Sequence, residues 1–156
     1  MPGTGQGRDP ERTPMPWDDG PNAGFTTGTP WFPFSPGRES AQVAAQSSAP
    51  GSLLSRYRGL IRARHASEAL DHGGLKLLTS TQERSSTLVF LRTRGEERVL
   101  VVHNLSEGAQ TVGPLELEGE PAEVLFADPS VGLLVRSGDS WSVTLPGHAT
   151  GIWRLR

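Results

Sequence analysis

The sequence predicts a mainly β fold: a C-terminal antiparallel β-sandwich, preceded by one amphipathic helix and a long irregular Pro/Gly-rich N-terminal segment. Three observations predict it. From residue 75 onward, short runs of β-branched and aromatic residues recur between Gly, Pro and Asp punctuation. Between 52 and 67 the apolar residues keep the spacing of one helix face. Before 52 neither period is present, yet Trp17, Phe25, Trp31, Phe32 and Phe34 are.

The first segment, residues 1–51, is dominated by Pro, Gly, Ser, Thr and acidic residues. Disordered chains are poor in aromatics, because rings supply the burial that offsets chain entropy. Here rings recur between prolines that fix extended geometry, so the segment is expected to lie across a surface. Its most distinctive stretch is "RDPERTPMPWDDGPNAGF", residues 8–25.

The second segment, residues 52–72, is the helix. Leu53, Leu54, Tyr57, Leu60 and Ile61 share one face, and Ser55, Arg58, Gly59 and Arg62 fall opposite. Ser52 is placed to cap the first turn, and the helix is expected to end near Ser67, before Gly73 and Gly74. Arg64 projects onto the apolar face, where it either snorkels or meets a buried carboxylate.

The third segment, residues 73–156, is the sandwich. Its clearest strands are 87–94 and 98–105, joined by a turn at Gly95, Glu96 and Glu97. Further strands are expected near 75–80, 110–118, 122–126, 131–136, 141–145 and 149–155.

Composition excludes several function classes. At 156 residues the chain fits one domain, or a small domain with an appendage. A formal charge of -2 gives no field to steer nucleic acid or anionic membranes, so neither is an expected partner. The absence of cysteine removes disulfides, thiolate nucleophiles and Cys-ligated zinc. No apolar run approaches the ~20 residues of a membrane span, and no secretory pattern is visible, which together predict a cytoplasmic protein.

Candidate chemistry is sparse. Gly3, Gly5 and Gly7 lack the preceding strand and following helix of a phosphate loop. His65, His72, His103 and His148 show no metal-ligand spacing, so neither metal nor cofactor is predicted; His103, inside an apolar strand, reads as a hydrogen-bonded core imidazole. Asp9, Glu11, Asp18 and Asp19 could pair for acid and base work, but carboxylates close together in such a segment more commonly cap turns. No Gly-x-Ser-x-Gly elbow is present.

Taken in order, "GRDPERTPMPWDDGPNAGF", "PWFPFSP", "VAAQ" at 43–46 and "GSLLSRYRGLIRARHASEAL" closely resemble the C-terminal third of family-13 glycoside hydrolases, in particular the α-glucosidase, oligo-1,6-glucosidase and trehalose synthase group. The likeness is collinear over residues 7–70. It continues through "LVFLR", "VLVVHNLS" and "LPGHATGIWRLR" into what resembles the α-amylase-type C-terminal β-domain, with His103 departing from the apolar residue usual there. The resemblance implies that residues 1–51 form a barrel-top substrate loop and that the helix is the last barrel helix, whose late arginine would be Arg64. It also implies that Arg8 hydrogen-bonds a terminal glucose, that Arg12 holds the loop, and that Asp9 anchors one of these arginines. The substrates would be α-glucosides or maltooligosaccharides bound through the parent enzyme. The catalytic Asp and Glu of such retaining enzymes belong to barrel strands that would precede residue 1, so no catalytic residue is assigned and the missing catalytic barrel is the implied partner.

Two other readings stay open. One is a stand-alone carbohydrate-binding β-sandwich using Trp141 or Trp153 as stacking platforms, although their strand positions favour a core role for at least one. The other is a subunit pairing with a separate barrel. Hydrolysis, transglycosylation and isomerisation are likewise all open, because barrel residues decide among them.

Overall fold

A computed structural model of the chain describes residues 9–78 and 86–156. The chain divides into two compact units, Met1–Arg58 and Gly59–Arg156.

In the first unit the Pro-rich segment is built from short turns rather than long elements. A 3-10 turn spans Asp9–Arg12, and a second turn spans Pro21–Gly24. Two short helices follow, α1 at Arg38–Ala41 and α2 at Val43–Ser48, separated by Gln42 in extended geometry. The sequence predicts only irregular structure here, since helices this short show no apolar period. They persist because other parts of the unit satisfy their ends. The amides of Val43 and Ala44 donate to the carbonyls of Pro16 and Trp17 at 3.0 and 2.9 Å, so the first turn of α2 is capped by backbone far away in sequence.

Helix α3 spans Leu53–His65. Ser52 caps it as predicted, its hydroxyl oxygen accepting from the Ser55 amide at 3.1 Å while the hydroxyl donates to the Gln46 carbonyl at 2.7 Å. The helix expected to run to Ser67 stops earlier. Ser67 takes extended dihedrals of -140° and 118°, and its oxygen accepts from the Leu70 amide at 3.1 Å, starting a separate helix α4 at Glu68–His72. A good capping residue inside a helical pattern thus ended one helix and began another.

The second unit holds the sandwich. One sheet has five antiparallel strands in the order β1-β2-β3-β8-β5: β1 Gly74–Leu77, β2 Thr87–Arg94, β3 Glu97–Asn104, β8 Thr150–Leu155 and β5 Pro121–Ala127. The other has three in the order β4-β7-β6: β4 Gln110–Leu115, β7 Ser140–Leu145 and β6 Val135–Ser137. Several boundaries differ from expectation, among them β4, which ends at Leu115 rather than 118. Glu97 belongs to β3, paired with Arg94, which leaves a two-residue turn with Gly95 at φ 56°. Only Val135 and Arg136 of the predicted 131–136 strand are β, because the Val131 amide bonds the Asp128 carbonyl and holds that stretch in a turn. The end of the predicted 75–80 strand, at 79 and 80, lies outside the described residues.

Strand β3 is buried on both faces, which explains its unbroken apolar run from Val99 to Val102. Leu100 and Val102 face the second sheet, packed with Val89, Val143, Leu145 and Trp153. Val99 and Val101 face the helical side, packed with Ala63, Ala69, Leu70 and Ile152. Gly59, in the middle of α3, has a local reason: a Cβ there would lie 2.8 Å from the Phe126 ring.

Candidate functional site

Two places merit functional attention: the turn-rich N-terminal segment, and an open side of the sandwich.

In the first, Asp18 acts as the turn-capping reading predicts. Its Oδ1 accepts from the Gly20 amide at 2.9 Å, and the chain then folds back so that the amides of Trp17 and Asp18 both donate to the Ala23 carbonyl. This return needs left-handed backbone at Asn22, Ala23 and Gly24, with φ of 50°, 51° and 67°. Asn22 is suited to it: its side-chain amide donates to the carbonyls of Thr26 and Gly28 at 3.1 and 2.8 Å, locking the next turn. Gly24 is required, since any Cβ there would strike the Asp18 carboxylate.

Of the residues singled out by sequence, Arg8 lies outside the described residues, and Asp9 opens the first 3-10 turn. Arg12 closes that turn and lays its guanidinium 5.1 Å from the centre of the Phe32 ring. Phe32 in turn stacks on Trp31, with centroids 5.6 Å apart and planes at 21°. Arg38 sits similarly over Phe34, at 4.7 Å. The recurring aromatics therefore serve in part as seats for arginines within this unit. Gln46, noted only as the end of a motif, is a hub. Its side chain donates to the Ser40 carbonyl at 3.2 Å and accepts from the Leu54 amide at 3.0 Å, tying α1, α2 and the start of α3 together. Nothing in local periodicity marks such a role, since it depends on where three chain segments meet.

Arg64 resolves the misplaced charge on α3. It meets a partly buried carboxylate, with Nε 3.0 Å from Asp71 Oδ1, while Asp71 Oδ2 faces His72 Nε2 at 3.1 Å. His103 is half-buried, with Nδ1 2.8 Å from the Thr150 hydroxyl and its ring beside Phe90, which fits the core-imidazole reading. Among the described residues, no group of three or more His, Asp or Glu is gathered in a metal-binding arrangement.

The two sandwich tryptophans differ in exposure. Trp153 is 3% exposed and belongs to the inter-sheet core, its indole folded over Gly151. Trp141 is half-buried and, together with Trp153, lines a groove of about 270 Å³ with Pro121, Val124, Leu133 and Leu134. The Arg136 guanidinium lies 5.8 Å from the centre of the Trp141 ring.

Comparison with known proteins divides the chain in the same order. Residues 2–73 match the family model of the α-amylase catalytic domain, and residues 88–152 match that of the α-amylase SusG C-terminal domain. A probable alpha-glucosidase of Rhizobium meliloti (strain 1021) is 38% identical over 127 residues, covering 77% of this chain and 22% of the relative. An oligo-1,6-glucosidase of Bacillus cereus is 36% identical over 152 residues, covering 97% of this chain and 26% of the relative. Among solved structures, the trehalulose synthase of Pseudomonas mesoacidophila MX-45 superposes with a TM-score of 0.78 at 31% identity, over 96% of this chain and 26% of that one. The isomaltulose synthase of Klebsiella sp. LX3 does so at 0.77 and 31%, with the same coverage. The chain thus spans about a quarter of the length of these relatives.

Proposed function

Because the chain belongs to the family-13 glycoside hydrolases, of which it carries a C-terminal part, we propose that it is the accessory portion of an α-glucosidase-like enzyme. In this reading residues 1–51 are a substrate loop at the mouth of a sugar pocket. Residues 52–72 are the closing helical part of the catalytic domain, and residues 73–156 form a supporting β-domain. The observation that carries the reading is the succession of two family models along one chain, the catalytic-domain match ending at residue 73 where β1 begins at Gly74.

Arg8 is assigned to the hydroxyls of a glucose at the non-reducing end, where a planar fork of donors fixes both distance and orientation. Arg12, seated on Phe32, holds the loop, and Asp9 anchors one of these two arginines. The substrates are α-glucosides or maltooligosaccharides, and the chain acts together with a barrel that supplies the retaining Asp and Glu pair. By itself it does not turn substrate over. A cytoplasmic setting belongs to the same reading.

The test is assembly. The 156-residue chain alone should release no p-nitrophenol from p-nitrophenyl α-glucoside. Joined to the preceding barrel portion of an oligo-1,6-glucosidase, it should do so, with Arg8→Ala impairing the rate. Turnover by the isolated chain, or a chimera indifferent to Arg8→Ala, would overturn the proposal.

A further inference from the structure

The two units differ in what holds each of them together. The second has two apolar clusters, one on either face of β3. In the first, Pro14 and Ala23 are the only buried side chains among the described residues. Its large apolar groups lie in water instead: Trp31 is 85% exposed, and Met15, Trp17, Phe25, Leu53 and Tyr57 are 46% to 61% exposed.

The geometry of the first unit is nevertheless specific, and polar contacts specify it. The Ala23 carbonyl takes the amides of Trp17 and Asp18, the carbonyls of Pro16 and Trp17 take the first amides of α2, and Gln46 links Ser40 to Leu54. Each such bond replaces one to water, so its net contribution is small. Every residue that is ordered loses conformational entropy, and burial of apolar surface is the main force that offsets the loss. The polar contacts therefore select one conformation, and the unit lacks the core that would sustain it.

The missing cover has a definable chemistry. The exposed rings and aliphatic groups are spread from Met15 to Tyr57, over more surface than one small ligand buries. Charge points to no polyanion or anionic membrane, because within residues 9–58 four arginines are offset by five carboxylates. The catalytic-domain match takes in this whole unit, and the chain spans about a quarter of its relatives' length. A catalytic domain of such relatives thus offers a large protein surface to cover it.

We propose that the first unit is sustained in its folded form by assembly with the catalytic barrel, folding being coupled to docking, while the β-domain folds by itself. That the partner is a barrel rests on the proposed function; that folding waits for a partner rests on the burial pattern. A segment of this kind orders and buries its apolar groups in one step, so the substrate loop takes shape only where a sugar pocket exists to receive it.

The experiment is amide hydrogen exchange, read by mass spectrometry, on the intact 156-residue chain as a monomer and on the barrel chimera. In the isolated chain, residues 13–48 should exchange within about tenfold of free-chain rates, with β3 and β8 slowed at least about a thousandfold. In the chimera, exchange over 13–48 should slow at least about a hundredfold further, with β3 and β8 unchanged. Trp17→Ser removes one exposed ring. It should leave the melting temperature of the isolated chain unchanged and reduce protection over 13–48 in the chimera at least about tenfold. Strong protection of 13–48 in the isolated monomer, no gain in the chimera, or equal destabilisation of both proteins by Trp17→Ser would each overturn the proposal. So would protection that rises with concentration as the isolated chain dimerises, since a second copy would then be the cover. Exchange and turnover separate the two readings: a chimera that gains protection yet ignores Arg8→Ala sinks the substrate-loop assignment alone, and one that turns over with 13–48 unprotected sinks the coupled folding alone.

Discussion

The Glu97 carboxylate and the Arg154 guanidinium face each other across β3 and β8, with Glu97 Oε1 3.0 Å from Arg154 Nε. Glu97 Oε2 accepts from the Ala69 amide at 2.9 Å, and Arg154 also donates to the Ala66 carbonyl at 2.7 Å. The pair therefore clamps the junction of α3 and α4 to the sheet, satisfying a helix-end donor on one side and a helix-end acceptor on the other. Burial by itself pushes the Glu97 carboxyl up. The hydrogen bonds from the Ala69 amide, the Ser67 hydroxyl and Arg154, with the arginine's charge, outweigh that and hold it below the ordinary glutamate value.

A pH dependence follows from the sign of that shift. A carboxyl whose folded pKa lies below its unfolded one stabilises the fold only while ionised. Its contribution should be complete above the ordinary value of 4.5 and should disappear as pH falls through the lower folded value. Glu97→Gln should cost about 1–3 kcal/mol at neutral pH and lose less stability than the native chain on acidification. Urea denaturation at several pH values tests this; parallel curves for the two proteins would contradict it.

Gly151 should tolerate no side chain. A Cβ there would enter the six-membered ring of Trp153, which is itself packed on all sides. Gly151→Ala is expected to cost about 3 kcal/mol, near the upper end for overpacked cores, with a shift in tryptophan emission as Trp153 is displaced. A variant of native stability and spectrum would show that the indole has room to move.

Asn104 should be equally intolerant for a polar reason. At 1% exposure, its side-chain amide donates toward the carbonyls of Gly108 and Pro146, each at 2.8 Å, while its oxygen accepts from the Ser106 amide at 3.0 Å. Asn104→Ala removes donor and acceptor together and strands buried partners, an expected loss of about 2–4 kcal/mol. Asn104→Asp should not rescue it, because a carboxylate cannot donate to those carbonyls. Faster amide hydrogen exchange across residues 105–109 would report the same event locally.

For the N-terminal segment the expected effects differ between stability and activity. Arg12→Ala removes a cation–π contact among its interactions and should cost at least about 0.5–1 kcal/mol. In the barrel chimera, Arg8→Ala should lower kcat/KM by roughly ten- to hundredfold, the scale of charged hydrogen bonds lost to a substrate, without moving the melting temperature. Equal effects of the two substitutions on both readouts would argue against separate binding and supporting roles.

Local signals were enough for the class of fold, for β2, for the approximate place of β3, for the cap at Ser52 and for the family: alternation, a hydroxyl before an apolar stripe, a dense run of motif residues. The sequence also placed one tryptophan in the core, though not which. Tertiary structure alone decided the rest. Trp153 is 3% exposed and Trp141 only half-buried although both line the same groove, a difference that the packing of the two sheets decides. Gln46 became a hub, Ser67 split a helix, and Glu97 became a clamp, since their hydrogen-bond partners are supplied by segments brought together only on folding. A short-range pattern encodes which backbone conformation costs least; which polar group finds a partner depends on chain segments that meet only once the core has formed.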